Sequence, residues 1–83
     1  MTYKVYVLEN LKRDWYIGHT DNLNYRLARH NNNLVRSTKN KGPWHVIYTE
    51  EFQTRAEAMK REEYLKSGRG REYLKEFLNK KRC

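Results

Sequence analysis

Two short strand-like runs separated by only five residues, four of them polar, restrict what the first eighteen positions can become. Tyr3 to Glu9 alternates, with Tyr3, Val5 and Val7 on one face and Lys4, Tyr6 and Leu8 on the other, which is the period of a half-buried strand. Asn10 to Asp14 has the composition of a turn, and Trp15 to Gly18 returns as a second strand, so the two runs form a hairpin. Register matters here, because a slip of one residue decides whether Tyr6 and Tyr16 share a face.

Past Gly18 the period changes. Thr20 or Asp21 is placed to cap a helix running to about Asn32, with Leu23, Leu27 and Leu34 as a sparse apolar stripe. Asn22, Arg26, His30 and Asn33 fall along a neighbouring face. Asn31 to Pro43 reads as an exposed polar loop, and Trp44 to Phe52 as a third strand introduced by a Gly-Pro turn. Thr54 and Glu57 form a capping box for a second helix, which places Ala58, Met59, Glu62 and Leu65 on one stripe, with Gly68 positioned to end it. A last helix, about Arg71 to Asn79, packs through Tyr73 or Leu74, Phe77 and Leu78. The expected fold class is α+β: a three-stranded, mainly antiparallel sheet flanked by helices, in the order β-β-α-β-α-α.

With 83 residues the expectation is one domain over 1–83, near the size where burial only just suffices, and 37% hydrophobic residues make such a core feasible. The single cysteine, Cys83, allows no internal disulfide and reads as an inert tail thiol suited to a reducing compartment. No apolar run approaches the ~18 residues of a membrane span, and the N-terminus lacks a signal-peptide core, so the expected location is cytoplasmic, with no membrane partner.

The net charge of +8 is unevenly spread. Residues 1–25 hold three basic and three acidic side chains, whereas Arg26 to Pro43 carries five basic residues and no acid, and residues 53–83 carry ten basic against five acidic. Clustered Lys and Arg favour a polyanion, nucleic acid first, because they release counterions when they neutralise phosphates. The candidate backbone contacts are Arg29, Arg36, Lys39 and Lys41 in the first basic segment, and Lys66, Arg69 and Arg71 in the second.

Glu62 stands out, since a carboxylate on a core-facing stripe costs several kcal/mol unless something pairs with it. An ion pair with Arg26 or Arg61, or a place at the exposed edge of the stripe, would account for it structurally. A hard-cation site would account for it functionally, with one carboxylate and several waters holding Mg²⁺ beside a substrate phosphate. Tyr6 and Tyr16 fit equally well as strand aromatics, and tyrosine is an awkward base because its pKa of ~10 leaves little phenolate at neutral pH. His19 and His45 have no Cys or His at ligand spacing and are set aside as zinc ligands.

Together Val5-Tyr6-Val7, Tyr16-Ile17-Gly18, Arg26, His30 and Glu62 resemble the signature of the GIY-YIG nuclease superfamily. The resemblance covers nearly the whole chain and is strongest to small single-domain bacterial members, through NLNYRLARHN in the first helix and AEAMKREEYLKSGRGREYLK toward the C-terminus. The first motif departs from its literal form at Val5 but keeps its tyrosine. The resemblance implies a metal-dependent endonuclease that hydrolyses phosphodiesters in nucleic acid, DNA ahead of RNA, with Mg²⁺ or Mn²⁺ as cofactor. It also implies roles: Tyr6 takes a proton from the attacking water, Tyr16 orients water or phosphate, Arg26 holds the scissile phosphate, Glu62 binds the cation, and His30 assists. A DNA-repair setting and a protein partner that directs the cut belong to the same expectation. A non-catalytic nucleic-acid-binding module of the same fold is the alternative, and the sequence leaves oligomeric state open.

Overall fold

The computed structural model describes residues 1–82; Cys83, and with it the tail thiol, lies outside the described residues. Strand β1 (Tyr3–Glu9) and strand β2 (Trp15–Thr20) form the hairpin, followed by helix α1 (Leu23–Asn31), a 3-10 turn at Arg36–Thr38, strand β3 (His45–Phe52), and helices α2 (Arg55–Lys66) and α3 (Gly68–Arg82). The sheet is antiparallel throughout in the order β2-β1-β3. This is the α+β class and element order expected from the sequence.

One expectation about β1 is corrected: residues Val5 to Glu9 are all buried, so the strand is covered on both faces rather than half-buried. Val5 and Val7 pack with Ile17, Tyr48, Ala58, Leu65 and Leu74 under α2 and α3. Tyr6 and Leu8 point the other way and pack with Trp44, Tyr16, Val46 and the α1 leucines Leu23 and Leu27. A central strand flanked by helices on both sides must be apolar on both faces, and here a tyrosine supplies part of that surface.

Local details differ where side-chain chemistry competes with pattern. Strand β2 runs two residues past Gly18, so the α1 cap moves to Asn22, whose side chain accepts from the Tyr25 N–H at 3.1 Å, while Thr20 accepts from the Asn22 N–H. Leu34 and Met59 are exposed rather than core residues. At α2 the Thr54 hydroxyl accepts from the Glu57 N–H and donates to the Glu57 carboxylate. Gly68 opens α3 instead of ending α2, which stops at Lys66 with Ser67 as its cap. The buried glycine of this corner is Gly70, whose Cα faces the Tyr64 carbonyl and Leu65 at the end of α2.

The loop after α1 is more structured than its polarity suggests. Asn31 bridges it with paired hydrogen bonds to the backbone N–H and C=O of Trp44. Thr38, which the sequence reading left in an exposed loop, is buried and reaches back to α1.

Candidate active site

Hairpin register decides the site. Tyr6 lies opposite Gly18 and Leu8 opposite Tyr16, so residues 6, 8, 16 and 18 share the face beneath α1. Gly18 is required by a close approach: a Cβ there would sit 2.7 Å from the Tyr6 hydroxyl oxygen and 3.1 Å from Cε1 of Tyr16. Only glycine lets the Tyr6 ring cross its neighbouring strand and bring its hydroxyl toward α1.

From α1, His30 closes on this pair. Its Nε2 is 3.1 Å from the Tyr6 hydroxyl, its Nδ1 is 2.7 Å from the Thr38 hydroxyl, and its ring centroid is 4.6 Å from that of Tyr16. Thr38 donates onward to the Val35 carbonyl at 3.4 Å, which leaves its oxygen to accept from Nδ1–H; Nε2 is then the acceptor for the Tyr6 O–H. His30 is fully buried. Burial pulls its pKa down to about 4, aided by the positive charges of Arg26 and Arg29, so the ring is neutral at physiological pH.

That depression has a measurable consequence. Between about pH 6.5 and about pH 4 the unfolded chain binds a proton at His30 that the folded chain refuses, so stability is fully present above 6.5 and falls with pH across this window. The expected loss is roughly 3 kcal/mol, and urea unfolding followed from pH 7 to pH 4 should show it shrinking in His30→Gln. Glu62, whose carboxyl is held below its ordinary range, contributes stability that begins to be lost at the acid end of this window and goes on falling below it.

Tyr6 is also fully buried, and burial raises its pKa to about 12 despite the lowering influence of Arg26; Tyr16 and Glu62 raise it further. At neutral pH the phenol keeps its proton. The Arg26 guanidinium lies against both tyrosines, and the Tyr6 hydroxyl is the main reason its own pKa is raised. Its Nε is nonetheless buried with no hydrogen-bond partner among the described residues, as is that of Arg29. A guanidinium with an unsatisfied donor has hydrogen-bonding capacity left for an anionic oxygen.

Tyr6, Tyr16, Arg26 and His30 thus converge on one face, because the hairpin register left open by the sequence puts both tyrosines beneath α1. Glu62 comes from α2, which covers the opposite face. Its Oε1 is 2.6 Å from Nδ1 of His19 and its Oε2 is 2.5 Å from Nζ of Lys66. Burial works to raise its pKa, but the hydrogen bonds from Lys66 and His19 outweigh that and hold it low. The expected partners Arg26 and Arg61 are not the ones used; Arg61 pairs instead with Glu50 at 2.9 Å. His19, set aside in the sequence, therefore belongs to the surroundings of Glu62. Its position next to Gly18 in an alternating strand was the available signal, since it must face α2 when Gly18 faces α1.

The basic residues divide. Lys66 and Arg71 line a depression with Trp15, Tyr16 and Ile17. Arg69 is exposed at the start of α3, Arg36 and Lys39 are exposed around the 3-10 turn, and Lys41 lines a separate depression beside Asn10 and Lys12. Arg29 lies over the Tyr25 ring at 5.8 Å. Among the described residues no helix is long and apolar enough to cross a membrane, and no group of three or more His, Cys, Asp or Glu is arranged to hold a metal ion.

Comparison with known proteins gives relatives for the sequence and for the fold. The UPF0213 protein CPE1444 of Clostridium perfringens is 38% identical over 63 residues, covering 75% of this chain and 68% of that protein. The UPF0213 protein YazA of Bacillus subtilis is 37% identical over 62 residues, covering 74% of this chain and 63% of YazA, a little under two thirds of its length. The solution NMR structure of the UPF0213 protein BH0048 from Bacillus halodurans superposes with a TM-score of 0.57 at 31% identity, over 93% of this chain and 85% of that one. The model of the GIY-YIG catalytic domain matches residues 2–76, the span that carries both tyrosines, Gly18, Arg26, His30 and Glu62, and the chain belongs to the GIY-YIG family.

Proposed function

We propose that this protein is a metal-dependent endonuclease that hydrolyses phosphodiester bonds in nucleic acid, with DNA preferred over RNA. The observation that carries this reading is the Tyr6–His30 hydrogen bond beneath α1 with the Arg26 guanidinium against it, which joins a proton route to a phosphate-binding cation. Arg26 receives the scissile phosphate and offsets the charge that gathers on its oxygens during displacement. Tyr16, half-exposed at the same place, positions phosphate or water. A phenol with a pKa of about 12 supplies almost no phenolate on its own, so Tyr6 can accept a proton from the attacking water only as it passes its own to Nε2 of His30.

Glu62 is the carboxylate that would hold a divalent cation. One carboxylate, joined by the oxygens of a bound substrate phosphate, would suit Mg²⁺ or Mn²⁺, which keeps most of its waters, better than a cation that needs a closed cage. The cation would supply Lewis-acid stabilisation of the phosphate charge. The pairing of Glu62 with Lys66 and His19 favours the competing reading, a nucleic-acid-binding module without cleavage, because both contacts occupy the carboxylate. Labelled single-stranded, duplex and branched substrates incubated with Mg²⁺, Mn²⁺ or chelator decide the matter: metal-dependent product supports the nuclease, and no product on any substrate leaves the binding module.

Either reading requires contact with a phosphate backbone. Replacing Lys39 and Lys41 with alanine should lower the slope of log K against log salt by about two on duplex DNA, since each lost contact removes roughly 0.9. An unchanged slope, measured by fluorescence anisotropy, would take the loop out of the interface.

A further inference from the structure

A depression of about 500 Å³ is walled by Glu9, Arg13, Asp14, Trp15, Arg71 and Lys75. It adjoins the smaller one lined by Tyr16 and Lys66, because Trp15 and Arg71 belong to both. The two make a groove along the free edge of β2, from Tyr16 of the tyrosine cluster to Lys75 on α3. Four cations face two carboxylates along it. Lys66 is paired with Glu62, but Arg13, Arg71 and Lys75 make no ion pair among the described residues. Both carboxylates are held in place, Asp14 by the Asn10 amide and Glu9 by Trp15, and the cations outnumber them.

Trp15 is the half-buried aromatic of this surface. Its Nε1 donates to Oε2 of Glu9 at 3.0 Å and part of its ring packs against the valine core, which fixes the indole while the remainder lines the groove. A fixed aromatic ring between cations is the combination that takes a stacked base together with its phosphates. Bases of a duplex are already stacked on one another and cannot use it. We infer that this groove binds an unpaired stretch of the substrate strand, with one base on Trp15 and flanking phosphates on Arg13, Arg71 and Lys75. The inference rests on the nuclease reading for its substrate and extends it by setting single-stranded character next to the cut.

Binding is measured with chelator present, so cleavage plays no part, using a fluorescein-labelled oligo(dT) and a blunt duplex of the same length. Trp44 is buried in the core, so quenching of tryptophan emission by oligo(dT) reports Trp15. The expected results are quenching by oligo(dT) but not by the duplex, and binding of oligo(dT) at least about fivefold weaker in Trp15→Leu. Arg71→Ala/Lys75→Ala, which alters only exposed side chains, should lose about 1.4 from the single-strand salt slope, roughly 0.7 per contact. Absence of quenching together with unchanged oligo(dT) affinity in the double variant overturns the groove, while leaving the nuclease reading to be judged by cleavage. Quenching by a protein that cuts nothing upholds the groove and removes the nuclease.

Discussion

Glu62→Gln should bind nucleic acid as well as the unaltered protein and cleave it at least about 10²-fold more slowly in Mg²⁺. Glutamine keeps the length and helix compatibility of the side chain but withdraws the charge that would hold a cation. Lys66 loses its partner and becomes available to phosphate, so binding is expected to hold or tighten. The carboxylate is stabilised by His19 and Lys66, so the variant is expected to be slightly less stable, with both proteins folded at assay temperature. Arg26→Ala should lose a comparable factor of about 10² or more, through transition-state charge rather than ground-state binding. The measurement is single-turnover cleavage at saturating protein. Equal rates for Glu62→Gln and the unaltered protein would remove Glu62 from the chemistry.

The largest loss of stability is expected from a single methyl group. At Gly70, a Cβ would fall 2.0 Å from the Tyr64 carbonyl oxygen and 2.5 Å from Cα of Leu65, both backbone atoms that cannot swing aside. Gly70→Ala must therefore push α3 off the end of α2, at about 3 kcal/mol or more out of a total of roughly 5–15. For a domain of this size the melting temperature should drop by roughly 12 °C or more. Gly68→Ala is the control, two residues earlier in the same helix, where an added Cβ meets nothing within 4 Å. It should be neutral or stabilising by up to about 1 kcal/mol. Equal melting temperatures for the two variants would mean that α2 and α3 do not meet as described.

Much of the fold was legible because period and punctuation agree: alternation in β1, the short polar turn, the Thr54 cap and the apolar positions of α3 all point to the elements observed. The local misreadings share a cause. Asn22 displaced Thr20 and Asp21 as the cap because β2 continues two residues beyond Gly18, and glycine seemed a natural end for a strand. Gly68 was read as a stop signal from its residue type, while the glycine with a steric reason is Gly70, and that reason exists only once two helices meet. For the site, spacing placed Arg26 and His30 on one helix face, while the meeting of Tyr6 with Tyr16 depended on a register that the sequence left open. Spacing could not show that Thr38 fixes the His30 ring, because the segment after α1 reads as an exposed loop, or that His19 reaches Glu62, because that contact joins elements far apart in sequence.

The order β2-β1-β3 leaves β3 as the second unpaired border of the sheet, on the far side from the tyrosine cluster. Its residues Val46, Ile47 and Tyr48 would make an adhesive template for another chain, but past Thr49 come Glu50, paired with Arg61, and the exposed Glu51. Two copies meeting border to border would bring negative charge against negative charge, the usual guard against sheet extension.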